Sequence, residues 1–327
     1  MLARALRLSH ALELTLYVIL AMSVCDASLV VALGLAVLAM LALRAVVIAV
    51  TYAYAGAYAS LAPRLSSRQR VLMVLGEYLS FVVTFLVIMP FERWWMGDDR
   101  LPRQATEGQG LTAAAPEDSR PPILLIHGYG CSRACWWWLR AHLEAAGWSV
   151  ATISLEPIYT SIDDYVDPVA RRVDEVLAAI GATQLVLVGH SMGGLVSRAY
   201  LQRYGGARVA RLVTLGTPHQ GSELARLGCG DNGRQMRPHS PWLQALASPP
   251  ASVDTVALYS PQDNFVMPPA LLELRGAQNQ AIAGVGHLAM LYSPRVVQAL
   301  LTVLEQTAAR CPRAVTAAAE ISKVADA

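Results

Sequence analysis

Residues 185–195 read Leu-Val-Leu-Val-Gly-His-Ser-Met-Gly-Gly-Leu. This segment joins an apolar run typical of a buried strand to the pattern Gly-x-Ser-x-Gly, centred on Ser191. A helical pattern of apolar residues follows at Leu195, Val196, Ala199 and Tyr200. A serine between a strand and a helix, with glycines on either side, is typical of a sharp turn that exposes a nucleophilic hydroxyl. The pattern therefore predicts that Ser191 is a nucleophile.

Strands and helices alternate through the second half of the chain. A clear amphipathic helix is predicted from Ile162 to Ile180, with Gly181 just past its end. Such alternation predicts a mostly parallel sheet covered by helices on both faces, with reactive groups at the carboxyl ends of the strands. The predicted strands are Ile123–His127, Trp148–Leu155, Gln184–Gly189, Val209–Gly216, Val253–Ser260 and a weaker Asn279–Gly284.

A serine hydroxyl needs a base at neutral pH, and the base needs an orienting acid. With this type of turn, the acid and then the histidine follow the serine along the chain. Asp263 comes just after the predicted strand Val253–Ser260, whereas Asp254 sits at its amino end. His287 is the histidine that follows this acid. We therefore predict that Ser191, Asp263 and His287 act together.

Acyl transfer also needs N–H donors for the developing oxyanion. One donor is the backbone N–H of Met192, directly after the nucleophile, and the second is predicted at Tyr129, in the glycine-flanked loop after the first strand. His127 precedes the serine and ends a buried strand, so a structural hydrogen bond is its predicted role.

Taken together, these residues resemble the bacterial triacylglycerol lipase branch of the α/β-hydrolases. The resemblance spans roughly residues 121–307 and implies the α/β-hydrolase fold, a triad of Ser191, Asp263 and His287, and an oxyanion hole of Tyr129 and Met192. The matching segments are ILLIHGYG (123–130), VGHSMGGL (188–195), LGTPHQGS (215–222), SPQDNFV (260–266) and Gly286-His287.

The chain departs from the secreted lipases in two respects. Those relatives carry a calcium site with an aspartate shortly after the catalytic histidine, whereas no acid occurs in the seven residues after His287. We therefore expect no metal and no cofactor. The apolar N-terminal region is also foreign to the secreted enzymes.

The composition indicates a membrane protein. Hydrophobic residues make up 54% of the 327 residues, charged residues 15%, and the mean hydropathy is +0.39, which is too apolar for an ordinary soluble chain. Ala11–Ala62 holds three charged residues and Val71–Pro90 only Glu77, so both runs are long enough to cross a bilayer. The net charge of +2 without a basic patch argues against nucleic-acid binding.

Arginine placement predicts the topology, because cytoplasmic loops are enriched in basic residues. Three spans, at about Ser9–Val24, Ala27–Ala49 and Val71–Met89, put the N-terminal arginines and those of the second loop inside: Arg4, Arg7, Arg64, Arg68 and Arg70. The catalytic part would then lie in the periplasm, anchored to a bacterial inner membrane. Two alternatives are four spans, with the middle run split at Arg44, and a signal peptide cleaved near Ala21-Met22-Ser23.

The predicted organisation is a membrane region at residues 1–90, a linker at 91–122, an α/β-hydrolase catalytic domain at 123–310 and a tail at 311–327. Residues 221–250 lie where lipases insert a lid, although an ordinary excursion fits equally well. Trp136–Trp138 could line an acyl pocket or pack in the core. The five cysteines allow a disulfide among the last four, without indicating a pair.

The predicted function is a membrane-anchored serine hydrolase that cleaves carboxylic esters through an acyl-serine intermediate, with an acyl ester or a lipid as substrate. An acyltransferase with the same three residues is the first alternative. The second is an idle receptor or assembly module of the same fold, although such modules usually lack one member of the triad. The sequence indicates no particular protein partner.

Overall fold

A parallel sheet of six strands forms the centre of the computed structural model, which describes residues 1–58, 62–101, 120–247 and 253–310. Its strands lie in the order β2-β1-β3-β4-β5-β6, and every adjacent pair is parallel. The predicted α/β architecture is therefore confirmed. The strands are β1 Ile123–Ile126, β2 Val150–Ile153, β3 Leu185–His190, β4 Val209–Leu215, β5 Thr255–Tyr259 and β6 Gln278–Ala281.

Helices cover both faces of this sheet, and further helices precede it. The α-helices of the described residues are α1 Leu2–Cys25, α2 Leu29–Ala55, α3 Ser67–Val82, α4 Glu92–Met96, α5 Trp137–Ala145, α6 Val166–Ile180, α7 Met192–Tyr204, α8 Gly230–Gln235, α9 Pro241–Leu246 and α10 Pro294–Arg310. We call the described residues from 120 onward the sheet domain and α1–α4 the N-terminal helices.

Strand alternation divides the core into two layers. Ile123 and Leu125 of β1 point to one face, where α5 and α10 pack. Leu124 and Ile126 point to the other face, against α6 and α7. All four side chains are fully buried, and each contributes about 1.5–3 kcal/mol of burial free energy. The sheet is thus sandwiched between helices, and its strand ends are fixed in position.

The tryptophan triplet belongs to the first of these layers. Trp136 is fully buried, and Trp137 and Trp138 pack against the same cluster while partly exposed. The core interpretation of the triplet is therefore the one that the structure bears out.

Residues 221–247 form a packed excursion. They contain a 3₁₀ turn at Glu223–Leu227 followed by α8 and α9. Met236 and Leu243 are buried in the same core layer as α6 and α7. The four cysteines in the described residues, Cys25, Cys131, Cys135 and Cys229, are free thiols, and Cys311 lies outside those residues.

The described residues contain three helices long and apolar enough to cross a membrane: Leu2–Cys25, Leu29–Ala55 and Ser67–Met96. The first two contact each other extensively and expose apolar side chains, such as Leu12 and Leu38, on their outer surfaces. Between them, Arg44 forms a two-pronged ion pair with Glu13. Pairing removes most of the cost of placing either charge in an apolar segment.

The third apolar helix differs, because one of its faces packs on the sheet domain. It runs from α3 through a π-helical segment at Val83–Ile88 and a 3₁₀ turn at Met89–Phe91 into α4. Its buried side chains recur at helical spacing, whereas Val71, Leu72, Leu75 and Leu79 are exposed. Between Ser67 and Ile88, the buried set is Met73, Glu77, Ser80, Thr84 and Ile88.

Asp99, just after α4, binds the edge of the sheet. Its Oδ2 accepts hydrogen bonds from the backbone N–H of Thr152 in β2, at 2.8 Å, and from Arg172, at 2.6 Å. Its Oδ1 accepts from Arg140 at 3.1 Å and from Arg133 at 3.2 Å. The start of the predicted linker is therefore tied to the sheet domain, and residues 102–119 lie outside the described residues.

Replacing Asp99 by alanine should destabilise the protein. The substitution leaves the buried Arg140 guanidinium without one of its two carboxylates and removes the bonds to β2, which together should cost about 3 kcal/mol. Thermal unfolding of the purified full chain measures this. Asp98→Ala is the matched control, because the Asp98 side chain is exposed. Equal melting temperatures for the two variants would contradict the role assigned to Asp99.

Candidate active site

Ser191 occupies a strained turn between β3 and α7. Its φ of 55° and ψ of −126° lie outside the conformations that a non-glycine residue ordinarily adopts. Its backbone N–H donates to the carbonyl of Leu215, at the end of β4, over 2.8 Å. Backbone strain of this kind persists where the surroundings enforce it, and it is concentrated at functional sites. The sharp turn predicted from the Gly-x-Ser-x-Gly pattern is present.

Close packing under the serine explains the glycine two residues later. A Cβ atom at Gly193 would overlap the carbonyl oxygen of Ile126, at the end of β1. The first turn of α7 therefore lies directly against the β1 strand end. The loop after β1 is equally close to the serine, because a Cβ at Gly128 would lie 2.8 Å from the Cβ of Ser191.

His287 and Asp263 are hydrogen-bonded to each other, with 2.7 Å between His287 Nδ1 and Asp263 Oδ2. Both are buried, with 4% and 2% of their surfaces exposed. Asp263 follows β5, and His287 follows β6 and precedes a 3₁₀ turn at Leu288–Tyr292. The parallel sheet thus brings together two residues that are 24 positions apart in the chain.

The second carboxylate oxygen of Asp263 is held by the backbone. Oδ1 accepts from the N–H groups of Phe265, at 2.7 Å, and Val266, at 2.8 Å. The carboxylate is therefore fixed, and Oδ2 is directed at the imidazole. Because an ionised carboxylate only accepts, His287 donates from Nδ1, which leaves Nε2 as the atom able to take a proton.

The serine and histidine loops are joined by His190, the residue before Ser191. His190 Nε2 donates to the carbonyl of His287 over 3.1 Å, and the ring centroids of the two histidines are 4.7 Å apart. Burial, followed by the proximity of His287, holds the pKa of His190 well below its ordinary value. His190 is therefore neutral and serves as a structural donor.

The pKa of His287 is shifted in the opposite direction. Burial is the largest single influence and lowers it, but the charge and hydrogen bond of Asp263, together with the charges of Glu77 and Cys131, raise the pKa above the ordinary value of 6.5. A carboxylate that stabilises imidazolium is what a general base next to a serine needs.

The two predicted oxyanion donors, Met192 and Tyr129, lie at the start of α7 and in the loop after β1. Met192 is the first residue of α7, where backbone N–H groups have no partner within the helix. Tyr129 lies in the loop after β1, and its hydroxyl donates to the carbonyl of Cys229 at 2.9 Å and accepts from the N–H of Cys229 at 2.8 Å. This pair of bonds ties the loop to the 221–247 excursion.

His127 and His219 have structural roles. His127 Nδ1 donates to the Gly128 carbonyl at 2.9 Å and Nε2 accepts from the Leu155 N–H at 2.8 Å, as predicted for a strand-end histidine. Burial lowers its pKa to about 4. His219 is buried, with its Nε2 2.9 Å from the hydroxyl of Thr214.

Among the residues that the structure describes, no group of three or more metal-ligating side chains is present.

Two residues at the site were not identified from the sequence. Asn264 Oδ1 accepts from the backbone N–H of His287 at 3.1 Å, and its Nδ2 donates to Thr51 of α2 at 2.8 Å. Glu77 of α3 accepts from the N–H groups of Leu288 and Ala289. The one available signal was that Glu77 is the only charge in an apolar run of twenty residues.

Comparison with known proteins agrees with the observed fold. Residues 121–257 match the alpha/beta hydrolase fold family. The sheet domain has the α/β-hydrolase fold. In solved structures, the chain is similar to a lipase from Bacillus licheniformis in its mature form, with a TM-score of 0.51 at 19% identity, over 58% of this chain and 94% of the other. It is also similar to lipase B from Aspergillus fumigatus, with a TM-score of 0.50 at 16% identity, over 59% and 54%.

Curated relatives confirm the resemblance to bacterial triacylglycerol lipases. The triacylglycerol lipase of Pseudarthrobacter phenanthrenivorans is 36% identical over 117 residues, which are 33% of this chain and 36% of that protein. That of Burkholderia plantarii is also 36% identical over 117 residues, which are 33% and 32% of the two chains. The chain thus matches about a third of the length of these relatives, and the α/β-hydrolase assignment applies to the sheet domain.

Removing the charge of Asp263 should reverse the shift of the His287 pKa. In Asp263→Asn, burial becomes the dominant influence, so the pKa of His287 should move from above 6.5 to below it. Histidine ring NMR as a function of pH measures this in detergent, with the signal assigned by its loss in His287→Gln. Asp254→Asn, at the other end of β5, should leave the His287 pKa unchanged. A His287 pKa that is the same in both variants would refute the electrostatic assignment.

Proposed function

We propose that the protein is a membrane-anchored serine hydrolase that cleaves carboxylic esters. The observation that carries the proposal is the buried hydrogen bond between His287 and Asp263 beside the strained turn at Ser191. The similarity to triacylglycerol lipases supports an ester or lipid substrate.

In the proposed mechanism, the Ser191 hydroxyl attacks the acyl carbon and its proton passes to His287 Nε2. Asp263 stabilises the imidazolium, and the N–H groups of Tyr129 and Met192 donate to the oxyanion. The intermediate collapses, the ester C–O bond breaks, and the alcohol leaves with the proton from His287. Water then repeats the sequence on the acyl-serine, which releases the acid and restores the hydroxyl.

Loss of the Ser191 hydroxyl should abolish turnover. Ser191→Ala should lower kcat for p-nitrophenyl esters by at least about 10³-fold without changing the fold, because no other group carries the acyl chain. Esters of graded chain length, with and without an added alcohol, separate hydrolysis from acyl transfer to the alcohol.

A fluorophosphonate probe supplies the complementary measurement. It should label the wild-type chain and leave Ser191→Ala unlabelled. An unlabelled wild-type protein would favour an idle module, and a variant that retained more than a tenth of the turnover would exclude Ser191 as the nucleophile.

The N-terminal helices are the proposed membrane anchor. If all three apolar helices cross the bilayer with Arg4 and Arg7 in the cytoplasm, the sheet domain lies in the periplasm of a bacterial inner membrane. Trp94, 83% exposed near the end of the third helix, suits an interfacial position at the outer face.

A second orientation is favoured by the contacts of the third helix. Glu77, Thr84 and Glu92 all bond to groups of the sheet domain, so this helix follows the domain along its length. The start of α1 and the end of α2 also contact that domain. The Met1 amino group lies 2.8 Å from Glu156, and Thr51 bonds to Asn264. With α1 and α2 as the only spans, the sheet domain would share the side of Arg4 and Arg7, the cytoplasm.

Reporter fusions after Ala327 distinguish the two orientations. The three-span proposal predicts activity of a reporter that functions only in the periplasm and none from a cytoplasmic reporter at the same site. The converse result would establish an even number of spans and place the hydrolase in the cytoplasm. Expression of both fusions is compared by immunoblot, so that a silent reporter is not mistaken for the opposite orientation.

A further inference from the structure

A carboxylate from the third apolar helix reaches the loop that carries His287. Glu77 has none of its surface exposed. One of its oxygens accepts from the backbone N–H of Leu288 at 3.0 Å, and the other accepts from that of Ala289 at 2.8 Å. These are the two residues directly after His287. Both carboxylate oxygens are thus used as acceptors by the first turn beyond the histidine.

The contact is tight on the other side of His287 as well. A Cβ at Gly286 would overlap the Glu77 carboxylate and would lie 2.7 Å from the hydroxyl of Tyr52, in α2. Backbone therefore packs directly on the carboxylate. Residues 286 to 289 surround Glu77, and any displacement of its side chain must displace the backbone of the histidine.

The adjoining loop is held by the neighbouring helix. Thr51 of α2 accepts from Asn264, the residue after Asp263, and Asn264 in turn accepts from the backbone N–H of His287. The third apolar helix therefore bonds directly to the two residues after the proposed general base. α2 bonds, through Asn264, to the backbone N–H of His287 itself.

We propose that Glu77 is a positioning residue for His287, and that the N-terminal helices complete the active site of the hydrolase. This rests on the proposed function, because it assumes that His287 is the base. Glu77 does not touch substrate. It fixes the backbone on both sides of the histidine and so limits the movement of the imidazole that has to take the Ser191 proton, and its negative charge favours the protonated imidazole.

The pKa of His287 is a readout that depends on the charge of Glu77 and that a purely structural role would leave unchanged. The titratable groups that face His287 are Asp263, Glu77, Tyr52, His190 and Cys131. Asp263 raises the pKa of His287 most, and Glu77 raises it further. The neutral amide in Glu77→Gln should therefore lower that pKa. Because the base must be unprotonated, the acid limb of the kcat/KM profile should move to lower pH.

The test is made on the full chain in detergent. Glu77→Gln should lower kcat by about tenfold to a hundredfold, because small misplacements of a catalytic group are costly, with KM nearly unchanged and the acid limb moved to lower pH. Thr84→Val is the matched control, since Thr84 lies on the same helix and its hydroxyl is 2.7 Å from that of Tyr292, in the same turn. It should leave the pH profile where it is.

A second variant covers the case in which Glu77→Gln does not fold. Gly286→Ala leaves Glu77 in place but forces the loop away from it, and it should also lower kcat. Wild-type kcat and pH profile in Glu77→Gln, or wild-type kcat in Gly286→Ala, would overturn the positioning role while the proposed function stands. A wild-type chain without esterase activity or fluorophosphonate labelling would instead overturn the proposed function, and the positioning role with it.

Discussion

The hydrogen bond from His287 to Asp263 is the interaction on which the proposed chemistry depends. It sets the imidazole tautomer, and with the charge of Asp263 it raises the pKa of a histidine that burial alone would lower. The bond has direction only because the other oxygen of Asp263 is held by two backbone N–H groups. The carboxylate is therefore already oriented before proton transfer and loses no conformational entropy in that step.

The residues around this pair hold the loops after β3, β5 and β6 together at one edge of the sheet. Parallel strands place the ends of β3, β5 and β6 on the same side, and the absence of a side chain at Gly193 lets α7 begin against β1. His190 then links the serine loop to the histidine loop through a single hydrogen bond. Because a buried, neutral histidine makes this link, the connection does not change charge over the range in which His287 titrates.

Residue types and their order were enough to predict the sheet and the positions of Ser191, Asp263 and His287. Those predictions used local signals: a strand, a turn with obligatory glycines, and an acid at a strand end. The role of Asn264 had no local signal, and the lone charge of Glu77 in an apolar run did not indicate what it contacts. Both contacts depend on the docking of helices that are distant in sequence. The tryptophan triplet shows the same limit, since an acyl pocket and a core layer demand the same side chains.

Glu13 and Glu77, two of the acids in the apolar helices, show why counting spans from hydropathy alone is insufficient. Glu13 is paired with Arg44 of the adjacent helix, so this charge is compensated within the segment that would enter the bilayer. Glu77 instead bonds to backbone N–H groups of the sheet domain. A carboxylate so engaged cannot sit at the bilayer centre unless the histidine loop lies there too, where its polar backbone would be costly. The contacts of Glu77 are therefore the observation that favours the two-span orientation over the three-span one, because they keep the third helix on the sheet domain.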